Sequence, residues 1–404
     1  MARGKRRRRE KGDGGLHQRA DGMWIAQVWR EDGTRYQRGR KRYDDALAEL
    51  RKMVDEVNQG IDPARGVVTV TDWLTEWCRD IAPRRIKPNT LDTYRSCIKN
   101  NIVPHIGTKP IGSLQPRDIR AMHTKITATR STRTAQIAFN ILSKALDDAT
   151  NERLITANPC GRMDRPESRS EERDPLTVDQ ARAILLHVAQ SGDPRAAARW
   201  SLALLTGARQ AEVLGLTWDR VDLDHDQIDI SHQLRRIKLV KGWGRPTDPV
   251  YPREAFDVRP EFEFTPVWRG ACLVDTKTRG SRRIIPLLTP VHAALESLGG
   301  PSPRSGLVFT REDSTPTVAA DDTTEWRQLC VDAGIVAKID DAPDQHASRN
   351  TVATLLLEAG VEESVRMQIL GHTTVTAHRG YVSTSTDVTR AALGKMETML
   401  KLEG

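Results

Sequence analysis

A polar, proline-bearing segment, CGRMDRPESRSEERDP (Cys160 to Pro175), separates two long stretches of regular apolar spacing. This composition is typical of an interdomain linker, because it offers few apolar side chains to bury. The chain has 404 residues, whereas a domain usually contains roughly 100 to 200. We therefore predict two or three domains rather than one core, with a linker at residues 161–175.

The N-terminal part combines a basic run with a short alternating pattern. Turn dipeptides at residues 21–22 and 32–33 separate alternating segments, which predicts a three-stranded sheet, and DDALAELRKMVDEVNQG follows with helical spacing. We predict a ββ(β)α domain over residues 1–64. A basic run is often only a solvated tail, but arginines interleaved with aromatic side chains also suit a nucleic-acid backbone. The candidate DNA contacts are Arg6, Arg7, Arg8, Arg9, Arg38, Arg40 and Arg42.

Residues 65–160 show helical spacing throughout. Four apolar-periodic stretches are separated by proline, glycine and asparagine, which predicts a compact helical bundle. Lys87 and Thr90, in KPNTLDTY at the start of the second stretch, are further candidate DNA contacts.

The part from residue 176 to 404 mixes helical and strand-like patterns. Helical stretches flank the strand-like segments QIDISHQLRRIKLV and RRIIPL, and a last helix is predicted at the C-terminus. We predict a mainly helical α+β domain, so that the whole chain is multidomain and mainly α with small β-sheets. The connection Lys241 to Ala271 is rich in proline, tryptophan and charge, and we predict an insertion or a flexible loop there.

The charge balance favours a polyanionic partner. There are 62 basic against 54 acidic residues, a net charge of +8, and 47 of the basic residues are arginine, whose planar fork suits phosphate. A GC-rich genome would produce the same arginine bias. The five cysteines have no metal-ligand spacing, and no apolar stretch approaches the roughly 20 residues of a membrane span. We expect an intracellular protein with no metal site and no membrane anchor.

Two segments place an arginine three positions from a second polar residue. In TGARQAEVLGL, Arg209 begins a helix and Glu212 lies on the same helical face, where it can orient the guanidinium. In DQHASRNTVATLLL, His346 and Arg349 share one face at the start of another helix, a position that suits an anion. Taken alone, each segment is also explained by a surface ion pair or a helix cap.

A lysine near a predicted turn is the candidate proton donor. Lys277 lies in VDTKTRGSRRIIPL, beside a turn at Gly280. A lysine on a hairpin tip is ordinarily solvated, whereas one that enters a cleft can protonate a leaving oxygen. Because the connection after Arg209 is long, Lys238 and Lys241 remain alternatives for this role.

The segment LGHTTVTAHRGYV adds a histidine and a phenol to these groups. Two arginine forks can neutralise a phosphodiester where other enzymes use metal ions. A tyrosine, with a pKa of about 10, becomes a nucleophile when cationic neighbours lower that pKa or a base takes its proton. A phosphotyrosine intermediate would conserve the bond energy without ATP, and the sequence contains no GxxxxGK[ST] loop.

These motifs, in this order, resemble the signature of the tyrosine recombinases of the phage-integrase family. His372 follows Arg349 by 23 residues, and Tyr381 follows His372 by nine. The resemblance covers nearly the whole chain. It implies an arm-type DNA-binding domain at 1–64, a core-type DNA-binding domain at 65–160 and a catalytic recombinase domain at 176–404. A departure is Asn350, at a position where the family usually has histidine.

The resemblance also implies chemical roles for matching residues. Tyr381 would attack the scissile phosphate and hold the 3′ end. Arg209 and Arg349 would bind the nonbridging oxygens, and Lys277 would protonate the departing 5′ oxygen.

Three further residues would support this reaction. His346 would transfer a proton or bind the phosphate, and His372 would hydrogen-bond the phosphate region. Glu212 would hold Arg209 in place.

We therefore expect a site-specific DNA recombinase, the integrase of a phage or mobile element, that needs no cofactor. Its expected partners are double-stranded DNA attachment sites, three further copies in a homo-tetramer, a DNA-bending host factor and a directionality factor. Its expected location is the bacterial cytoplasm, at the nucleoid. Two alternatives remain: a catalytically inactive regulatory or architectural DNA-binding protein, and a type IB topoisomerase-like enzyme.

Overall fold

A computed structural model describes most of the chain in two compact units, Met1–Ser170 and Glu171–Gly404. The described residues are 14–29, 33–58, 68–163, 174–243, 249–276, 282–300, 306–371 and 386–401. Among them, no helix combines the length and the apolar character needed to cross a membrane. The domain boundaries predicted at residues 64, 160 and 175 stay predictions.

The first unit begins with a three-stranded antiparallel sheet and a helix. The strands are β1 (Gly15–Gln18), β2 (Trp24–Trp29) and β3 (Arg35–Arg40), in that order in the sheet, and α1 (Tyr43–Asn58) follows. Gly22 has a φ of +84° in the first turn, a left-handed conformation that favours glycine. The helix covers one face of the sheet through a small apolar cluster that includes Ala26, Val28 and Met53. The predicted ββ(β)α arrangement is confirmed.

A helical bundle follows in the same unit. Its α-helices are α2 (Val70–Glu76), α3 (Pro88–Cys97), α4 (Val103–Ile106), α5 (Pro116–Thr129) and α6 (Thr132–Asn151). A π-helical turn joins α3 to α4, so these two form one of the four predicted helical stretches. The indole nitrogens of Trp73 and Trp77 donate to the Ala145 carbonyl (2.9 Å) and to the Asp148 carboxylate (2.8 Å), which ties the first helix to the last.

The second unit is mainly helical around a large apolar core. Its helices are α7 (Val178–Gln190), α8 (Pro194–Thr206), α9 (Gln210–Leu214), α10 (Thr289–Glu296), α11 (Ala319–Asp332), α12 (His346–Glu358), α13 (Glu363–Leu370) and α14 (Thr386–Leu400). Helix α8 is central, since α7, α10 and α12 pack against it. Three residues of α14, Leu393, Met396 and Leu400, are fully buried in the same core.

Two small antiparallel sheets interrupt these helices. The strands are β4 (Val221–Asp222), β5 (Gln227–Ile230), β6 (His232–Arg236), β7 (Thr265–Trp268), β8 (Ala271–Asp275) and β9 (Arg283–Pro286). One sheet has the order β4-β5-β9 and the other β6-β8-β7. The fold class predicted from the sequence, mainly α with small sheets, is confirmed.

The described residues of the connection between 241 and 271, which are 241–243 and 249–271, include regular structure. They contribute β7 and a separate apolar cluster in which Tyr251 and Phe256 are buried. The rings of Phe256 and Phe264 meet edge to face at 4.9 Å. The expectation of an insertion or a flexible loop did not include the strand β7. Its sequence, TPVW, contains a proline and lies among charged residues, so it shows no clear alternation of apolar and polar residues.

Candidate active site

Arg349 lies in the first turn of α12 with only 3% of its surface exposed. Its Nη1 donates to the Gly207 carbonyl at 2.6 Å, and its Nη2 donates to the Leu370 carbonyl. Both acceptors lie at helix C-termini, where carbonyls have no intrahelical partner and the helix dipole is negative. The fold therefore supplies the hydrogen bonds that a buried guanidinium needs.

Gly207 makes this approach of α8 to α12 and α13 possible. It ends α8 with a φ of +63°, which favours glycine. A β-carbon at this position would lie 2.7 Å from Cδ2 of Leu370 and 3.2 Å from Cβ of Val352. The break in TGAR, read in the sequence as the start of a helix, is thus also a site of close packing.

Three successive carbonyls at the end of α13 each accept a hydrogen bond from a different arginine. The Ile369 carbonyl accepts from Arg283 Nε at 2.7 Å, and the Leu370 carbonyl accepts from Arg349. The Gly371 carbonyl accepts from Arg209 Nη2 at 3.4 Å. The C-terminus of one short helix therefore gathers three guanidiniums from three distant parts of the sequence.

Glu212 is the carboxylate that holds two of these arginines. Its Oε1 accepts from Arg209 Nη1 at 2.8 Å, and its Oε2 accepts from Arg283 Nη2 at 2.9 Å and from the Arg209 backbone N–H at 3.0 Å. Only 4% of the Glu212 side chain is exposed. Burial alone raises the pKa of Glu212, but the charges and hydrogen bonds of Arg283 and Arg209 outweigh it and hold the pKa below 4.5.

The cluster carries an excess of positive charge. Burial, followed by the neighbouring charges of Arg209 and Arg283, lowers the pKa of Arg349 to about 9, so the side chain stays cationic at neutral pH. Among the described residues, the cluster therefore contains three guanidiniums and one carboxylate, Glu212, which bonds only to Arg209 and Arg283. An anion that enters the cluster neutralises part of this positive charge. A phosphate suits this position, because its oxygens match the two parallel N–H donors of an arginine.

A cavity of about 470 Å³ opens onto this cluster. Its lining includes Arg209 and Arg349 together with His346, Arg327 and Gln345. His346 is exposed at the start of α12, and its backbone N–H donates to the Asp344 carboxylate at 2.8 Å. Two arginines and one histidine selected from the sequence thus converge on one opening.

The remaining predicted site residues divide between the described and undescribed parts of the chain. Lys277, His372 and Tyr381 lie outside the described residues, so their placement stays a prediction. The alternative lysines, Lys238 and Lys241, are described, and neither is among the residues that line the cavity within the described ranges.

The predicted DNA contacts of the first unit have varied surroundings. Arg38 and Arg40 both form ion pairs with Glu49 of α1, and the Arg40 pair has a separation of 2.6 Å. Only 20% of the Arg38 side chain is exposed, against 43% for Arg40. Arg42, Lys87 and Thr90 are exposed. Residues 6–9 lie outside the described part, and all of these contacts stay predictions.

Arg283 belongs to the cluster, although no role was predicted for it from the sequence. It is the first residue of β9, 6% exposed, and pairs with Ile230 of β5. Strand alternation is the signal that identifies it: Ile284 is exposed, whereas Arg283 and Ile285 point inward. A charged residue on the apolar face of a strand requires a partner, and Glu212 provides it.

Glu212→Gln is expected to destabilise the folded chain in a pH-dependent manner. Removal of one charge from a buried pair costs about 3 kcal/mol. Since the folded-state pKa of Glu212 is depressed, its stabilisation is fully present above the unfolded-state pKa and is lost as pH falls through the folded-state pKa. Urea unfolding at stepwise lower pH should show the two proteins converge below about pH 4.5. A constant difference down to pH 3 would contradict this assignment.

Comparison with known protein families agrees with this site. Residues 267–387 match the phage integrase family, and residues 69–126 match the phage integrase N-terminal SAM-like domain. These matches and the relatives below identify the chain as a tyrosine recombinase, which is a site-specific recombinase. The resemblance inferred from five short motifs is confirmed, and neither the inactive DNA-binding protein nor the topoisomerase is favoured.

Individual relatives match along most of the chain. An integrase of Saccharopolyspora erythraea is 26% identical over 444 residues, which cover 98% of each chain. An integrase of Streptomyces ambofaciens is 27% identical and covers 91% of this chain and 90% of its own.

Two solved structures share the fold. The Tn1549 transposon integrase in complex with a circular intermediate DNA superposes with a TM-score of 0.59 at 22% identity, over 81% of this chain and 99% of its own. A lambda integrase tetramer bound to a Holliday junction gives a TM-score of 0.52 at 19% identity. The match covers 91% of this chain and 97% of the lambda integrase chain.

Proposed function

We propose that this recombinase cuts and rejoins DNA through a covalent 3′-phosphotyrosine formed on Tyr381. The observation that supports this most strongly is the arginine cluster, in which Glu212 pairs with Arg209 and Arg283 while Arg349 is held, within the described part of the chain, only by backbone carbonyls. A phosphodiester resists nucleophiles partly because of its own negative charge. Cations already fixed in place stabilise the charge that develops during phosphoryl transfer, with no reorganisation at the moment of reaction.

The proposed step exchanges one ester bond for another. The Tyr381 oxygen gives its proton to His346 or to water and forms a bond to phosphorus as the bond from phosphorus to the 5′ oxygen breaks. Lys277 gives its proton to that oxygen, while Arg209 and Arg349 bind the nonbridging oxygens. Attack by a 5′ hydroxyl on the phosphotyrosine reverses the step, so the strand is resealed without ATP.

His346 and His372 complete the proposed site. His346 lines the cavity beside Arg349, which suits a group that binds the phosphate or receives the tyrosine proton. His372 would hydrogen-bond the same phosphate from the segment that follows Gly371. Glu212 keeps Arg209 aimed at the cavity through their 2.8 Å ion pair.

We propose double-stranded DNA attachment sites as the substrate and a tetramer as the active assembly. The fold similarity to a lambda integrase tetramer bound to a Holliday junction supports this assembly. In this proposal residues 1–64 bind arm-type sites and residues 65–160 bind core-type sites. Residues 161–175 link them to the catalytic part, 176–404. A DNA-bending host factor and a directionality factor would assist at the bacterial nucleoid, in the cytoplasm, to integrate or excise a phage or mobile element.

Cleavage without metal or ATP tests this proposal. The attachment site is obtained as the direct repeat at the two ends of the element that carries the gene. We expect the full-length protein, in EDTA and without nucleotide, to form a covalent adduct with nicked attachment-site DNA on denaturing electrophoresis. The rate should stay within about threefold of that with Mg²⁺, because arginines supply the charge. Binding without an adduct, or an adduct only with Mg²⁺, would contradict the proposal.

A further inference from the structure

A second buried carboxylate lies behind the arginine cluster. Asp322, on α11, has 0% of its surface exposed. Its Oδ1 accepts a hydrogen bond from Arg199 Nε and its Oδ2 accepts one from Arg199 Nη2, both at 2.8 Å. The guanidinium of Arg199, on α8, therefore binds the carboxylate in a bidentate manner. Burial alone raises the pKa of Asp322, but the charge of Arg199 and the hydrogen bonds it receives lower it overall.

Asp322 also binds two glutamines that flank the proposed site residues. Gln210, which follows Arg209 directly, donates to Asp322 Oδ2 at 2.9 Å. Gln345, which precedes His346 directly, donates to the same oxygen at 2.8 Å. One carboxylate oxygen therefore links the two sequence motifs, which are more than 130 residues apart, through their adjacent side chains.

We propose that Asp322 is a positioning residue for strand cleavage, which fixes the distance between Arg209 and His346 across the cavity. This inference rests on the proposed phosphotyrosine chemistry of the same site. The two glutamine bonds anchor the start of α9 and the start of α12 to a common point on α11. Reactive groups that are displaced by about 1 Å can lose on the order of 100-fold in rate.

Helix packing alone does not explain this network. The Trp200 and Trp326 rings pack at 5.3 Å between α8 and α11, and both indoles are buried, so an apolar contact already joins these helices. A buried ion pair adds little net stability compared with apolar side chains of similar volume. Apolar contacts have no preferred direction. The glutamine hydrogen bonds to Asp322 are directional and so define how α9 and α12 are oriented against α11.

A second ion pair between α8 and α11 provides a control that matches the charge and the helices, with Glu325 40% exposed where Asp322 is buried. Arg195 Nη1 and Glu325 Oε2 lie 2.9 Å apart, on the same two helices as Arg199 and Asp322. Among the described residues, Glu325 has no hydrogen bond to Gln210 or Gln345. Asp322→Asn and Glu325→Gln therefore remove the same charge from the same helix, but only the first affects the two motifs.

The test compares these two variants of the full-length protein. In Asp322→Asn, one amide oxygen replaces the two carboxylate oxygens that serve Arg199 and both glutamines. We expect single-turnover cleavage of nicked attachment-site DNA at saturating protein to slow 10- to 100-fold, with the Kd for DNA changed less than threefold. Hydrogen exchange should accelerate in residues 207–214 and 345–352. Glu325→Gln should match the wild type in all three measurements.

A double variant covers the case in which Asp322→Asn folds poorly. Arg199→Met with Asp322→Leu replaces the buried pair with apolar side chains and should unfold near the wild-type temperature. It should still cleave slowly and exchange rapidly in the two segments, because Gln345 loses its bond to Asp322 and Gln210 keeps, among described residues, only its bonds to the Ala319 carbonyl and the Thr323 hydroxyl. Wild-type exchange in both segments of Asp322→Asn, or wild-type cleavage by the folded double variant, would overturn the inference. If the wild type itself forms no adduct, the proposed chemistry fails, and hydrogen exchange alone still decides whether Asp322 positions the two segments.

Discussion

Tyr381→Phe is expected to abolish the covalent protein–DNA adduct while it leaves DNA binding within about twofold of the wild type. The substitution removes only the phenol oxygen, which is the proposed attacking atom. Loss of a catalytic nucleophile typically lowers the rate by about 10⁴- to 10⁶-fold. Denaturing electrophoresis of nicked attachment-site DNA measures the adduct, and a gel-shift titration measures binding.

Tyr251→Phe is the matched control, because Tyr251 is the only other tyrosine after residue 171. It is buried in the small apolar cluster of residues 237–274, with 2% exposed. This variant should form the adduct at the wild-type rate. An adduct retained by Tyr381→Phe, or lost equally in both variants, would exclude Tyr381 as the nucleophile.

Arg349→Ala is expected to slow cleavage by about 10³-fold, the scale on which a charged group contacting a transferred phosphoryl contributes. Arg349→Lys should lose on the order of 10²-fold, because an ammonium keeps the charge but lacks the planar fork. In the wild type that fork reaches the carbonyls of Gly207 and Leu370 at once. Single-turnover rates at saturating protein measure these losses.

Stability must be measured in parallel, because Arg349 is buried. Removal of the guanidinium leaves two carbonyls without their donor, each at a cost of about 1 to 3 kcal/mol. Arg366→Ala is a control on the neighbouring helix α13, a position that does not line the cavity within the described residues. If Arg349→Lys is folded and cleaves at the wild-type rate, the arginine cluster does not bind the phosphate.

The parts of the fold that the sequence predicted are those with local signals. Apolar residues at helical spacing predicted the bundle around Trp73 and the helices that pack on α8, since each pattern lies within about 20 residues. The turn at Gly22 was predicted from its dipeptide. The strand β7 was not, because TPVW contains proline and lies among charged residues.

The site residues also fall into those that a local sequence signal predicted and those that it did not. Arg209, His346 and Arg349 were recognised because each occurs in a short motif with a fixed neighbour. Arg283 and Asp322 were missed as members of the network, since their partners are 71 and 123 residues away. No short pattern encodes such contacts. They arise only in the folded chain, where β9 meets α9 and α8 meets α11.

The most direct test of the account is to locate the covalent bond in the wild-type adduct. After cleavage of nicked DNA, digestion with trypsin and nuclease should leave a nucleotide on the peptide Gly380–Arg390, which contains Tyr381 as its only tyrosine. Mass spectrometry should place a phosphodiester from Tyr381 to the 3′ end of the DNA, with a free 5′ hydroxyl on the other strand end. A bond on any other peptide, or a 5′ linkage, would contradict the proposed chemistry.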